Sequence, residues 1–504
     1  MALLNGDEMK AAEAVAALNY TNPFLKERQE LEKTILGRDY LDTGIVWNLR
    51  AGENPQDLNI GKIREKTAWL IEKMGREIGR TKKTVPASEE KVYADMVIYH
   101  LFESYMGKFY TYIGRENDAP LGFYSDFLSD IDRLTRIPGN IIVMPYAPEH
   151  IFAMFFQIHR AFHYIFRFII GGSLPTARLR AAVWQSIFTH DMLRYGASLF
   201  NRMNDITTLI TGPSGTGKEL VARAIAFCRY VPFDADKLVF EEKFTEQFFP
   251  LHLSALAQNL IESELFGHKR GAFTGALEDR IGRLEVSSQF GTVFLDEIGE
   301  INREIQVKLL RLLQDRSFRR LGENKMKTFK GKVIAATNRN LQDEMREGRF
   351  RADLYYRICA DMITTPSLRE QLDDSPDELE NLVNFLCIRI LGEDGAVSLV
   401  KEVLGWMKKN LPANYEWPGN VRELEQCVFN VLVRGSYKPP ERQTKKDDLL
   451  ESISAGTLTA DEVLNKYCLL IYGRTKNYCE TARILELDRR TVKSRIEKQI
   501  PADA

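Results

Sequence analysis

The chain has 504 residues, enough for about three domains, and 44% of them are hydrophobic, ample for folded cores. Lys and Arg (69) balance Asp and Glu (70), so the net charge of −1 excludes bulk attraction to nucleic acid; any DNA site must be a local basic patch. Six scattered cysteines (Cys228, Cys359, Cys387, Cys427, Cys468, Cys479) form no C-x-x-C pair, which argues against disulfides or zinc and fits a cytoplasmic protein with reduced thiols.

Residues 1–165 carry no catalytic motif. Ile60, Ile63, Leu70, Met74 and Ile78 share one helical face, and Val92, Met96, Tyr99, Phe102, Met106 and Phe109 share another. Such stripes read as core; a docking face or pocket for a signal is the functional alternative. No strand–helix alternation with an acidic pair occurs, so a phosphoacceptor receiver domain is not expected. No signal-peptide pattern opens the chain. The apolar stretch Ile151–Gly171 contains His159, Arg160, His163 and Arg167, making it a poor membrane span and a better buried or partner-covered helix. His159 and His163 stand four apart without a carboxylate or cysteine nearby, so a packed pair is expected rather than a metal site.

From about residue 166 strands and helices alternate, as in a parallel α/β sheet flanked by helices. The organising stretch is Gly212-Pro213-Ser214-Gly215-Thr216-Gly217-Lys218-Glu219, between the β-branched run Thr207–Thr211 and the helical run Leu220–Ala226. Glycines there let backbone N–H groups turn around a phosphate, the helix N-terminus adds its dipole, and Lys218 reaches the β- and γ-phosphates. A Gly-rich turn with an incidental lysine is the alternative. Glu219 stands where a Ser/Thr ligand of Mg2+ is usual. Cys228–Pro250 reads as a long connection or insertion. Phe290–Glu297 is an apolar strand ending in two carboxylates: Asp296 to hold Mg2+, Glu297 to polarise the attacking water. Lys332–Asn338 is another buried strand with a polar end, where Asn338 would orient water or simply cap a turn. Arg351 and Arg357 are suited to the charge that develops during phosphoryl transfer; a surface salt-bridge pair is the alternative.

A helical unit covers 366–434 and includes Trp417–Leu424, from which Arg422 would fold back on the phosphates. Residues 435–458 have linker composition, with two prolines and the charge run Lys445-Lys446-Asp447-Asp448. The tail, 459–504, opens with a Thr459–Glu462 capping box, then a second helix from about Asn477 to Leu485, then a basic helix carrying Arg489, Arg490, Thr491, Lys493, Ser494, Arg495 and Lys498. Two short helices joined tightly, the second basic, suit a helix-turn-helix reader of the major groove.

One further stretch, Glu262–Ala276, sets one Phe and one Thr between glycines, which suits a mobile tip offered to a partner. At Gly271-Ala272-Phe273-Thr274-Gly275-Ala276 the chain resembles the bacterial sigma-54-dependent transcription activators, the enhancer-binding branch of the AAA+ ATPases. The resemblance covers about 166–434 and, more weakly, a Fis-type helix-turn-helix at the C-terminus; it does not extend to 1–165. It implies that Gly271–Ala276 contacts the sigma factor. It makes Gly212–Glu219 the Walker A motif, with Glu219 the family's usual residue, and Asp296 and Glu297 Walker B. Thr337 and Asn338 become sensor I, Arg351 and Arg357 arginine fingers, and Arg422 sensor II. It implies ATP and Mg2+ as cofactors, a homo-oligomeric ring, most often a hexamer, and a regulatory N-terminal domain. Its partners are upstream promoter DNA and sigma-54 RNA polymerase, whose closed complex is remodelled by ATP hydrolysis. One departure is His252, where the family usually carries an Asn that holds the Walker B glutamate, here Glu297. Two rivals remain at this stage: a AAA+ ATPase remodelling another protein, and a DNA-binding repressor with a vestigial nucleotide site.

Overall fold

Helix formation at the start of the chain has a local cause. Asn5 accepts a hydrogen bond from the Glu8 N–H (2.9 Å) and the Glu8 carboxylate accepts one from the Asn5 N–H (3.0 Å), a capping box that satisfies two orphan donors of α1 (Gly6–Leu18). The structure is a computed structural model that describes residues 3–42, 56–80, 85–115, 120–440, 453 and 456–497. It divides into two compact units, Met1–Ser436 and Tyr437–Ala504.

After α1 come α2 (Lys26–Leu36), α3 (Gln56–Arg80), α4 (Ala87–Arg115), α5 (Tyr124–Thr135) and α6 (Pro148–Phe168). The two expected stripes face inward. Ile63, Leu70, Met74 and Ile78 are buried on α3, and Met96, Tyr99 and Phe109 on α4, while Ile60, Val92, Phe102 and Met106 are half-buried. His159 is buried and stacks on Phe102 at 4.2 Å, and no metal-binding group of side chains occurs among the described residues. Nor is any described helix long and apolar enough to cross a membrane.

α6 runs through the expected boundary at 165/166 and packs on the P-loop helix, α8 (Lys218–Phe227), with α7 (Leu174–Phe188) also against it. Aromatic residues from α4 to α6 therefore share one core with Val221, Ile225 and Phe227. Cys228–Pro250 is not a plain insertion. A hairpin, Phe233–Asp234 with Val239–Phe240, lays Phe240 on Phe156 (3.9 Å) and Phe233 on Phe152 (4.7 Å), and the segment's end becomes a sheet strand. Local sequence does not show this, because the hairpin's apolar partners lie on α6.

The central sheet has five strands: β1 (Thr208–Thr211), β2 (Phe248–His252), β3 (Thr292–Asp296), β4 (Lys332–Thr337) and β5 (Asp361–Thr364). They lie in the order β5-β1-β4-β3-β2, all parallel. Parallel strands buried on both faces read as continuous apolar runs, and β4 is buried along its whole length. The register pairs Thr211 with Thr337 and His252 with Asp296, so these strand ends open on one edge. Between β2 and β3 comes α9 (Gln258–Phe266), between β3 and β4 comes α10 (Arg303–Asp315), and α11 (Ala352–Ile358) precedes β5. The helical part consists of α12 (Leu368–Asp374), α13 (Glu378–Asn410, broken at Gly392) and α14 (Asn420–Arg434). Glu378 ties it back by accepting from the Gly172 N–H at 2.7 Å.

Among its described residues the second unit has the helices α15 (Ala460–Thr475), α16 (Tyr478–Leu485) and α17 (Arg489–Glu497). The Thr459–Glu462 capping box forms, and Asn477 caps α16. Cys468, Ala482, Val492 and Ile496 make the core. The charge run 445–448 and Lys498 lie outside the described residues.

Candidate functional site: a nucleotide edge, a protruding loop and a basic helix

The P-loop joins β1 to α8. Gly212 (φ 143°) and Gly215 (φ 80°) hold backbone conformations that L side chains rarely adopt, and a Cβ at either would run into Thr365 or the Gly419 carbonyl. Lys218 begins α8 and is buried; its Nζ donates to the Gly212 and Pro213 carbonyls (3.0 and 3.1 Å). Burial pushes its pKa below the usual lysine range, Glu297 and then Asp296 pull it back up, and Arg422 adds to the lowering. Motifs spread over some two hundred residues thus meet in one electrostatic neighbourhood. Glu219 lies in the first turn of α8, where its carboxylate accepts from Arg223 at 2.7 and 3.0 Å.

At the end of β3, Asp296 Oδ1 accepts from the Glu297 N–H (3.1 Å). Glu297 has a left-handed backbone (φ 56°), an uncommon conformation for a residue with a side chain and one that clusters at working sites. Its carboxylate accepts from the Asn338 backbone N–H at 3.3 Å. Asn338 is exposed, and the neighbouring Thr337 is fully buried. His252 does not meet Glu297. Its Nδ1 lies 2.9 Å from Asp296 Oδ2, because the β2–β3 register places the two residues side by side. His252 therefore does not take the Glu297-holding role that the resemblance gives an Asn at this place: its partner is Asp296.

The helical part closes over the loop. Arg422 donates from Nη1 to Ser214 Oγ (3.2 Å) and Asn420 from Nδ2 to the Ser214 carbonyl (2.9 Å). Thr365 Oγ1 lies 2.6 Å from Thr216 Oγ1 and donates to the Thr211 carbonyl. Sequence reading missed Thr365 and Asn420. Asn420 sits inside the quoted Trp417–Leu424 stretch, whereas only the β5–β1 pairing brings Thr365 to the loop. Arg351 caps the start of α11 and Arg357 lies in its last turn, against α10. Arg351 pairs with Asp353 (2.7 Å), and Arg357 donates to the Leu313 carbonyl (2.9 and 3.0 Å).

The Gly271–Ala276 stretch protrudes from a short antiparallel neck, Gly267–His268 with Arg280–Ile281. Asp279 clamps the neck by pairing with Lys269 (2.5 Å) and accepting from the Arg270 N–H (2.9 Å). The turn is closed by Gly271 N–H donating to the Ala276 carbonyl (2.9 Å). Thr274 and Gly275 are exposed at the tip, next to Leu277, which is 80% exposed. Phe273, expected to be offered outward, turns back edge-on to His268 (4.9 Å) and is half-buried. In the second unit Arg489, Arg490, Thr491, Lys493 and Ser494 are all exposed on α17. Arg495 leaves that face, donating to Asp461 (2.9 Å) and Asn465 (2.6 Å) of α15.

Residues 190–364 match the family model described as "Sigma-54 interaction domain". Over that stretch the chain is similar to the sigma-54-dependent activators. The matched domain is of the AAA+ ATPase class, and the strand order and P-loop above are its frame. Among similar curated proteins is a Nif-specific regulatory protein of Enterobacter agglomerans, 42% identical over 49% of this chain and 43% of that protein. The anaerobic nitric oxide reductase transcription regulator NorR of Klebsiella pneumoniae is 36% identical over 56% of this chain and 55% of that protein. The transcriptional regulatory protein ZraR of Salmonella typhi is 37% identical over 58% and 64%. The matches span about half the length of these relatives.

Proposed function

We propose that this chain binds DNA upstream of a promoter through α17 and, as a ring of identical subunits, uses ATP hydrolysis to remodel the closed sigma-54 RNA polymerase complex. The observation that carries the reading is the exposed Thr274–Gly275 tip of the Gly271–Ala276 loop, raised on a clamped neck within a sigma-54 interaction domain whose central sheet carries the P-loop. Lys218 and Arg422 bind the phosphates of ATP, and Arg351 and Arg357 supply charge to a neighbouring subunit's phosphates, a contribution on the order of 10³–10⁵ in rate.

The site's oxygen donors suit Mg2+, which takes one or two carboxylates and completes its shell with phosphate and water. Asp296, the last residue of β3, is the carboxylate that would hold it. When bound, the ion neutralises charge on the β- and γ-phosphate oxygens. Glu297 orients the attacking water and accepts its proton.

The test is open-complex formation in vitro with sigma-54 polymerase, a promoter with its upstream DNA, and ATP or a non-hydrolysable analogue. ATP alone should support opening. Lys218→Ala should reduce ATP turnover by at least about 100-fold, on the scale of removing a preorganised group aimed at transition-state charge. Thr274→Ala should keep turnover and lose opening. Opening without hydrolysis, or loss of both activities in Thr274→Ala, would sink the reading.

A further inference from the structure

β2 is an edge strand of the central sheet, and it ends on alternation: Leu251 is buried and His252 exposed. In parallel sheets ligands gather beyond the carboxyl ends of the strands, and the β2–β3 register delivers the imidazole there, beside Asp296. The pair is set for more than a hydrogen bond. His252 Nδ1 and Asp296 Oδ2 stand 2.9 Å apart. Imidazole nitrogen and carboxylate oxygen bind first-row divalent ions at about 2.0–2.1 Å, so two neighbouring ligands of an octahedral ion are about 2.9 Å from each other. An ion of that kind takes both atoms with no more than a tilt of the imidazole ring.

The imidazole is open to an arriving ion, its side chain being 53% exposed against 19% for Asp296. Nδ1 is the nitrogen engaged with Asp296, and Nε2 has no partner among the described residues. When an ion takes Nδ1, the single proton of the neutral ring moves to Nε2 and none need be released. No group of three or more His, Cys, Asp or Glu side chains placed for a metal occurs among the described residues. The protein therefore brings two ligands of its own, and the phosphate oxygens of a bound nucleotide and water must complete the shell.

The donor pair decides which ion gains. Mg2+ demands oxygen and meets the imidazole only as a competitor for Asp296. Co2+, Ni2+ and Zn2+ accept imidazole nitrogen readily. One residue thus opposes the first kind of ion and assists the second. An Asn, which the resemblance puts at this place, offers an amide nitrogen that is no metal ligand.

We propose that His252 is a metal ligand: with Asp296 and the phosphates of a bound nucleotide it holds a divalent transition-metal ion of the Co2+, Ni2+ or Zn2+ kind. The nucleotide in this site rests on the ATPase reading above. The untagged full chain is titrated calorimetrically with a non-hydrolysable ATP analogue premixed with Co2+ or with Mg2+, and Co2+ without nucleotide is the blank for other sites. The wild type should bind both complexes. His252→Ala should weaken the Co2+ complex at least about tenfold, since even losing an outer-shell partner costs roughly 10- to 100-fold in metal affinity. It should bind the Mg2+ complex as tightly as the wild type or more tightly. His252→Asn, which keeps a hydrogen-bond donor for Asp296 but has no imidazole, should lose Co2+ affinity to the same degree. The visible absorption of bound Co2+ should lie at shorter wavelength in the wild type than in either variant, nitrogen being a stronger-field donor than oxygen. Equal weakening of both complexes would mean that His252 only shapes the edge. Unchanged Co2+ affinity, or a band in the same place in all three proteins, would mean that the ion never meets the imidazole. Either result overturns the proposal. Binding of neither complex by the wild type overturns the nucleotide reading, and the proposal with it.

Discussion

At the scale of single residues, the His252–Asp296 pair has consequences for the metal. Asp296 Oδ2 faces His252 Nδ1, while Oδ1 already accepts from the Glu297 N–H. A Mg2+ ion drawn to this carboxylate must compete with both partners. His252→Ala removes one competitor whose net worth as a hydrogen bond is about 1 kcal/mol, so the Mg2+ concentration for half-maximal turnover should fall roughly fivefold. A magnesium titration of both proteins at saturating ATP checks this; superimposable curves would put the imidazole outside the ion's path. Glu297 differs in that its carboxylate is held by a backbone N–H, that of Asn338, so no side-chain substitution removes that hydrogen bond directly.

At the scale of elements, the protruding loop is only as well placed as the neck beneath it. Glu285 is a brace nearby, accepting from Arg320 (2.6 and 2.7 Å) and Lys327 (2.9 Å). Arg320, ahead of Lys327, pulls its pKa from the ordinary 4.5 to about 2. Because the folded value is the lower one, the pair's stabilisation is fully present above about pH 4.5 and is lost as pH falls toward 2. Glu285→Gln should therefore cost stability at pH 7, about 1 kcal/mol after allowing for solvent screening, and the difference should fade below pH 4.5. Thermal melts of both proteins between pH 7 and 3 measure it; a constant difference would mean the contribution is not electrostatic. The tail separates two kinds of arginine on one helix. Arg490→Ala with Lys493→Ala should weaken binding to the upstream site and lower its salt slope by about 1 for each DNA phosphate left without its cationic side chain. Arg495→Ala should instead destabilise the three-helix unit, since its partners are Asp461 and Asn465. DNA titrations at several salt concentrations, beside melts of each variant, decide whether affinity and stability divide this way.

At the scale of the whole molecule, the nucleotide edge is built by pieces far apart in sequence, and the finger arginines bear on assembly. Arg351 and Arg357 are engaged with Asp353 and the Leu313 carbonyl. If they serve a neighbour, a Lys218→Ala subunit still offers intact fingers, and an Arg357→Ala subunit still offers an intact P-loop. Mixing the two inactive proteins should then restore part of the ATP turnover at mixed interfaces. Turnover that stays at zero across all mixing ratios would assign the arginines to their own subunit.

The sequence by itself determined the nucleotide motifs, the α/β class and the capped helices. Each depends on neighbours within a few residues: glycines around a lysine, an apolar run closed by carboxylates, a Thr followed by Glu three residues on. Strand order and register were decided only by the tertiary structure. Register set His252 against Asp296 rather than Glu297, and pairing of β5 with β1 brought Thr365 to the P-loop. Phe273 and Arg495, which look exposed by position, were turned inward by His268 and by Asp461 and Asn465. A cleft beside α6 belongs to the same class: residues of α1 to α4, α6 and α7 line it, and periodicity marks which residues avoid water without showing whether their side chains fill the space between them.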